Sequence, residues 1–190
     1  MAAAAILLGA TALGASAHYA YRRFRYGRAL RASEGLRCFA LRLKPGDELK
    51  SALIAKVQAE NMRAACMVTC VGSLRKATLR MANASKAPDG GNASGSGNEV
   101  VTRSERFEIV SLVGTFAEDG RCHLHASLSD ANGQLWGGHV VGGMEVFTTA
   151  EVVLAECSGL AFTREHDAQT GYDELVVHER GARPRPGSIA

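Results

Sequence analysis

Four short apolar segments follow one another between residues 106 and 157, and this succession constrains the fold more than any other feature of the chain. They cover residues 106–116, 122–129, 134–141 and 150–157. Glu-Asp-Gly at 118–120 separates the first pair, and Asp-Ala-Asn-Gly at 130–133 separates the second. Short alternating runs joined by turns of this composition are typical of antiparallel strands. The sequence therefore predicts a mostly antiparallel sheet.

A strand and a helix are predicted before these segments. Residues 37–43 alternate apolar and basic side chains, as a strand with one buried face would. Pro45-Gly46 ends this strand, and Asp47 can cap a helix. Apolar residues then recur at helical spacing at Leu49, Ala52, Leu53 and Val57.

The next segment predicts two further strands. Residues 64–71 are continuously apolar, which at this length indicates a buried strand, and Gly72-Ser73 would turn the chain into another strand over residues 74–82. The predicted fold class is therefore α+β, with a mostly antiparallel β-sheet packed against one main helix.

One folded domain over residues 37–163 is predicted. The chain has 190 residues, of which 46% are hydrophobic and 22% charged, so it can bury the core of one domain. Residues 83–99 are rich in Asn, Ser and Gly and predict a flexible loop. Residues 164–190 predict the remainder of an edge hairpin followed by a disordered tail.

Residues 1–33 form an N-terminal segment that predicts targeting or membrane anchoring. An uncharged Ala/Gly/Leu run precedes five arginines, and the first acidic residue is Glu34. A secretory signal, a mitochondrial presequence, a signal-anchor with a transmembrane helix within residues 2–26, and a leader without a targeting role are the alternatives. The arginines after the apolar run disfavour secretion and favour a mitochondrial location or an anchor facing the cytosol.

The charge and cysteine content argue against two classes of protein, a nucleic-acid-binding domain and a disulfide-bonded secreted domain. The net charge of +3 is accounted for by the N-terminal arginines, so the domain lacks the basic excess that drives non-specific nucleic-acid binding. DNA binding through the domain alone is therefore disfavoured. Five scattered cysteines are an odd number, which indicates free thiols in the core and not a disulfide framework.

Three histidines form the candidate site. If residues 131–133 make a three-residue hairpin loop, counting outward places His125 opposite His139, with His123 on the same face. Three imidazoles with an open fourth position are the ligand set of a catalytic or labile zinc site, or of a comparable divalent metal. A shift of one residue would move His139 to the other face, and His-x-His would then be an ordinary polar strand face.

Several motifs in this order resemble the plants and prokaryotes conserved (PPC) domain over residues 39–156. They are RLKPGDEL at 42–49, GSL at 72–74, ATLR at 77–80, RFEIVSL at 106–112, HLHASL at 123–128 and GGH at 137–139. The resemblance implies an α+β fold assembled as a homotrimer. It also implies that some stand-alone prokaryotic members hold a metal at the positions of His123, His125 and His139.

The resemblance also indicates an interaction strand formed by Arg106, Phe107, Glu108 and Ile109. This segment matches one that is typical of plant members, in which the domain follows AT-hook DNA-binding motifs and mediates assembly with itself and other factors. No AT-hook precedes the domain here, and the tail at 183–186 lacks the glycine that such a motif needs. An ordinary surface ion pair between Arg106 and Glu108 is the alternative.

Three functions follow as hypotheses. The preferred one is a trimeric assembly or binding module, interacting with itself and with other proteins, that carries a three-histidine divalent-metal site, with zinc as the expected ion. The first alternative is a metal-dependent hydrolase with Glu145 or Glu108 as general base. The second, by analogy with plant members, is a DNA-binding or transcription-associated protein.

Overall fold

The computed structural model describes residues 35–82 and 99–180, which form one helix and eight strands. The helix is α1 (Leu49–Ala59), and the strands are β1 (Leu36–Leu43), β2 (Ala64–Arg80), β3 (Val100–Arg103), β4 (Phe107–Ala117), β5 (Cys122–Ser129), β6 (Leu135–Cys157), β7 (Leu160–Asp167) and β8 (Tyr172–Glu179). The strands predicted over 37–43, 106–116 and 122–129 are confirmed to within one residue at each end.

Six of the strands form one antiparallel sheet in the order β1-β6-β5-β4-β2-β3. β2 also pairs with β6, so β2, β4, β5 and β6 form a closed ring and the sheet is barrel-like. β7 and β8 pair with each other in a separate two-stranded sheet.

The predicted α+β class, a sheet packed against one main helix, is wrong. The structure is mostly antiparallel β with one short helix, because β2 and β6 are far longer than predicted. The sequence indicated a turn at Gly72-Ser73 and separate strands over 134–141 and 150–157, but β2 continues for 17 residues and β6 for 23. Register shifts near Gly72 let β2 bend without ending, and the sheet can therefore close on itself.

The helix is capped one residue later than predicted. Glu48 is the N-cap, and its carboxylate accepts a hydrogen bond from the Ser51 N–H at 2.7 Å. The same carboxylate accepts a bond from the Met144 N–H at 2.9 Å, which ties the start of α1 to β6. Asp47 instead accepts a bond from the Lys44 N–H in the preceding turn.

The core lies between the strands of the closed sheet and α1. The helix contributes Leu49, Leu53 and Val57, all buried. Phe107 is buried and stacks on Trp136, with ring centroids 5.6 Å apart. Burial of each large apolar side chain contributes about 1.5–3 kcal/mol, so this shared core stabilises the closed sheet together with α1.

The predicted leader over residues 1–33, the anchor within 2–26, residues 83–98 of the predicted loop and the tail after residue 180 lie outside the described residues. In the two described stretches, no helix combines the length and the hydropathy that a membrane crossing requires. All five cysteines are free, as predicted, although Cys38 is exposed whereas Cys70 is buried in the core.

Candidate metal centre

The hairpin between β5 and β6 has the predicted three-residue loop. The Asp130 N–H donates to the Gln134 carbonyl, and Gly133 adopts a φ of +75°, which a glycine accommodates without strain. The Asp130 carboxylate also accepts hydrogen bonds from the N–H groups of Asn132 and Gln134, at 2.8 and 2.9 Å. These bonds fix the register of the two strands.

His123, His125 and His139 meet on one face because of that register. His125 on β5 lies directly opposite His139 on β6, which confirms the predicted pairing. One ligand nitrogen from each of the three histidines lies within 4.8 Å of the other two. The Nε2 atoms of His123 and His125 are 3.1 Å apart. The predicted cluster of three imidazoles is therefore present.

Neighbouring backbone holds the histidine strands closely on both sides. A Cβ built on Gly114 of β4 would lie 1.9 Å from the His123 carbonyl oxygen, so only glycine allows β4 to pass β5 at this distance. A Cβ on Gly138 would lie 2.6 Å from the Arg80 carbonyl oxygen of β2. Gly138 therefore allows the backbone of β2 to approach β6 closely.

Burial and nearby positive charge favour the neutral form of His123 and His139. Burial, followed by the charge of Arg80, lowers the pKa of His139 to about 4. Burial, followed by His125, also lowers the pKa of His123. A neutral imidazole has a free lone pair, which is the form that binds a metal.

The residues fit a divalent metal ion. The His139 Nδ1 atom is buried and has no hydrogen-bond partner among the described residues, and buried polar atoms are ordinarily satisfied by a partner. Two nitrogens that bind one zinc ion at tetrahedral angles lie about 3.3 Å apart, given Zn–N bonds of about 2.0–2.1 Å. The spacing of 3.1 Å between His123 and His125 is close to that value.

A cavity of about 610 Å³ opens beside the cluster and was not predicted. His123 and His139 line it, with further residues from α1, β2, β5, β7, β8 and the loop before β5. These are Lys50, Ile54, Arg80, Asp119, Gly120, Arg121, Cys122, Arg164, Tyr172, Asp173 and Glu174. No local pattern singles them out, because segments far apart in sequence supply them and only the tertiary fold brings them together.

The carboxylates predicted as general bases do not line this cavity. Glu145 forms an ion pair with Arg75, and Glu108 is exposed on β4. The carboxylates in the cavity are Asp119, Asp173 and Glu174. Asp119 and Asp173 both form ion pairs with Arg121, at 2.7 and 2.8 Å.

The predicted interaction strand alternates between core and surface. Phe107 and Ile109 are buried, whereas Arg106 and Glu108 are exposed, as the alternation indicated. The Arg106 guanidinium lies over the Phe147 ring, 4.5 Å from its centroid. Within the described part of the chain these two charged residues form no ion pair with each other. Only the exposed pair is available to a partner.

The fold and the site define a class of protein: a small, closed antiparallel β domain with a three-histidine cluster beside a cavity. A family model for the Plants and Prokaryotes Conserved (PCC) domain matches residues 30–158. The chain belongs to this family, also written PPC, and the predicted resemblance is confirmed.

Two curated relatives share most of this chain but extend well beyond it. The bifunctional protein GlmU of Synechococcus sp. (strain JA-3-3Ab) is 39% identical over 153 residues, which is 80% of this chain and 22% of that protein. The AT-hook motif nuclear-localized protein 20 of Arabidopsis thaliana is 30% identical over 160 residues, 80% of this chain and 52% of that protein. The chain thus spans about a fifth and about half of their lengths.

Two solved structures match over nearly their whole length. A hypothetical protein from Salmonella enterica has a TM-score of 0.68 and 37% identity, and the match covers 78% of this chain and 97% of that one. A metal-containing protein from Archaeoglobus fulgidus has a TM-score of 0.64 and 26% identity, with 78% and 99% covered.

Proposed function

We propose that this chain is a PCC-domain assembly module that binds a divalent metal ion, preferably zinc, through His123, His125 and His139. The observation that carries the proposal is the convergence of three imidazoles beside an open cavity. The similarity to a metal-containing protein from Archaeoglobus fulgidus supports it. An all-imidazole donor set suits zinc and other late transition metals better than magnesium or calcium.

The protein's own part is to prepare the site. The hairpin register aligns the three rings, and burial favours the neutral form of His139, whose Nδ1 atom has no hydrogen-bond partner among the described residues. A bound metal would supply a positive charge and an open coordination position at the cavity. This arrangement serves binding or sensing without further residues.

The assembly part of the proposal is supported by an exposed apolar surface. β2 and β4 pair at Cys66–Thr115 and at Ser73–Glu108, and four valines that are each more than half exposed lie between these points. They are Val68, Val71, Val110 and Val113. Contiguous exposed apolar residues are typical of protein interfaces. We propose that this surface, together with Arg106 and Glu108, mediates homotrimer formation or contact with other proteins.

Metal content tests the metal site directly. The purified full-length chain should retain close to one zinc ion per chain after dialysis, measured by inductively coupled plasma mass spectrometry. His139→Ala should weaken zinc binding by more than about 100-fold, because it removes a ligand outright. His166→Ala is the matched control, since His166 is a well-exposed histidine on β7 outside the cluster. Zinc retention by His139→Ala at the wild-type level would refute the site.

The alternatives have weaker support. For the hydrolase, the ion pair with Arg75 engages Glu145, and neither proposed base lines the cavity. For DNA binding, the support is the name of the Arabidopsis relative, and a gel-shift assay at physiological salt tests it.

A mitochondrial or cytosol-facing, membrane-anchored location stays a proposal from residues 1–33. A fluorescent reporter fused to residues 1–30 would test it.

A further inference from the structure

The cavity beside the histidine cluster has the size and lining of a small-molecule site. Its volume of about 610 Å³ lies within the range of about 300–1,000 Å³ that is typical of ligand pockets. His123 and His139 line it together with Arg164 of β7 and with Tyr172 and Glu174 of β8. A ligand in this cavity would therefore contact both the metal centre and the C-terminal hairpin.

The cavity carries an excess of positive charge that its own acids do not neutralise. Arg121 is engaged by Asp119 and Asp173. Lys50 donates to the carbonyl oxygens of Val140 and Val141, at 3.2 and 2.9 Å, and not to a carboxylate.

Three lining cations therefore remain without an ion pair in the described part of the chain, and one acid remains beside them. The cations are Lys50, Arg80 and Arg164, and the acid is Glu174. Arg80 lies over the Tyr172 ring, 5.5 Å from its centroid. The cavity therefore favours an anion.

Arg164 is the cation in this cavity that most needs an anionic partner, because it is buried. Its side chain is only 8% exposed, and one terminal nitrogen donates to the Thr115 hydroxyl at 2.9 Å. Its Nε–H is buried and has no hydrogen-bond partner within residues 35–82 and 99–180. A buried guanidinium without a counterion destabilises a protein by several kcal/mol, and an unmade hydrogen bond adds to this. An oxyanion would satisfy both the charge and the free donor.

The metal centre increases the need for an anion in the same cavity. Arg164 lines the same cavity as His123 and His139 of the cluster. A divalent ion on three neutral imidazoles would add two positive charges without a compensating carboxylate among its ligands. An anion between the metal and Arg164 would offset both charges.

We propose that this cavity binds a small oxyanion, the carboxylate or phosphate group of a small molecule, between Arg164 and the three-histidine metal centre. The contact between the oxyanion and a metal ion rests on the proposed function, whereas the contact with Arg164 does not. Glu174 adds an acceptor, which suits a ligand that also carries a hydroxyl or amino group. Arg164 and β8 lie outside residues 30–158, the part of the chain that the family model matches.

Titration with inorganic phosphate tests the proposal. The full-length chain, with and without one equivalent of Zn²⁺, is titrated by isothermal calorimetry, and the ¹⁵Nε–¹Hε signal of Arg164 is followed by NMR. We expect saturable binding, a shift of that signal, and tighter binding in the presence of Zn²⁺. Arg164→Gln should weaken binding by about tenfold or more, because charge-assisted hydrogen bonds are lost.

Two further variants keep the test decisive. If Arg164→Gln does not fold, Arg80→Gln replaces it and should weaken phosphate binding severalfold, since Arg80 lines the cavity without an ion pair. Arg106→Gln is the matched control, because Arg106 is an exposed arginine over an aromatic ring outside the cavity lining. Equal affinity in the wild type and both cavity variants, or an equal loss in Arg106→Gln, would overturn the proposal.

The two metal conditions separate this inference from the proposed function. Zinc binding without any phosphate binding overturns the anion site and leaves the metal site intact. Phosphate binding through Arg164 in a chain that binds no zinc overturns the proposed metal function. The anion site at Arg164 then stands without the metal. The same titration with succinate then distinguishes a carboxylate ligand from a phosphate ligand by relative affinity.

Discussion

Two buried charged residues, Glu156 and Arg164, differ in whether the fold provides a counterion for them. Glu156 is 1% exposed; its carboxylate accepts a hydrogen bond from the Arg63 N–H at 3.2 Å, and Arg37 lies 3.1 Å from it. Arg180 lies 3.9 Å away as a second cation. Arg164 is 8% exposed and has no carboxylate partner in the described part of the chain. Because the fold provides counterions for one buried charge, the lack of one at Arg164 points to a ligand from outside the chain.

Cysteine reactivity should follow burial at the level of single residues. Burial raises the pKa of the Cys70 thiol to about 11, so about one thiol in a thousand is ionised at pH 8. Cys38 on β1 is exposed. With iodoacetamide at pH 8, native protein should therefore be alkylated at Cys38 long before Cys70, as peptide mass spectrometry would show.

Urea provides the control for this prediction. In the unfolded chain both thiols are solvated, and Cys38 and Cys70 should react at similar rates. Equal rates in the native protein would show that the part of β2 containing Cys70 opens to solvent, and the burial argument would then fail for this strand.

At the level of elements, the β4–β5 pair depends on the absence of a side chain at Gly114. Gly114→Ala places a Cβ 1.9 Å from the His123 carbonyl oxygen, at a φ of +146° that L-residues rarely adopt. The strands must separate, so we expect a loss of about 3 kcal/mol or more in the free energy of unfolding, measured by urea titration. His123 should move with β5, and zinc affinity should fall as well.

Gly133→Ala separates backbone strain from steric overlap. Gly133 also has a positive φ, but a Cβ there would meet nothing within 4 Å. Its substitution should cost about 1 kcal/mol through strain alone, with zinc affinity unchanged. A Gly114→Ala variant no less stable than Gly133→Ala would mean that β4 and β5 tolerate a wider separation than the structure shows.

The sequence predicts the strands whose ends are marked by local turn chemistry. β5 and the β5–β6 loop were predicted correctly, because alternation and the Asp-Ala-Asn-Gly turn are local signals. The continuity of β2 through Gly72 was not, because a glycine that bends a strand and one that ends it have the same local sequence. The closed sheet was missed for the same reason, since closure needs β2 to pair with β6 far along the chain.

The candidate site likewise contains some residues that local sequence signals predict and others that depend on long-range packing. The three histidines were predicted because the hairpin loop fixes their register over a short distance. Arg164 and Glu174 were missed, because they reach the cavity through the C-terminal hairpin, whose position depends on tertiary packing. Local signals therefore predict the histidine cluster, whereas the other residues that line the cavity are found only from the structure.

At the level of the whole molecule, the exposed valines of β2 and β4 are the surface through which we propose that copies of the chain assemble. Val68, Val71, Val110 and Val113 are exposed between the two points where these strands pair. Covering such a surface with a second copy removes apolar area from water at about 25 cal/mol per Å². Charges introduced there would oppose assembly, because they would have to lose their hydration in the interface.

The oligomeric state in solution checks this proposal. Wild-type chain at micromolar concentration should elute at three times the mass of one chain in size-exclusion chromatography with light scattering. The double variant Val71→Lys/Val113→Lys should elute at the mass of one chain, while its circular dichroism stays that of a folded β protein, because both side chains already face outward. Leu135→Lys is the matched control: Leu135 is 70% exposed at the start of β6, outside the valine stretch, and its replacement should leave the trimer intact.

A wild-type chain that elutes as a monomer would refute assembly altogether. A double variant that remains trimeric would show that the interface lies on another face of the sheet.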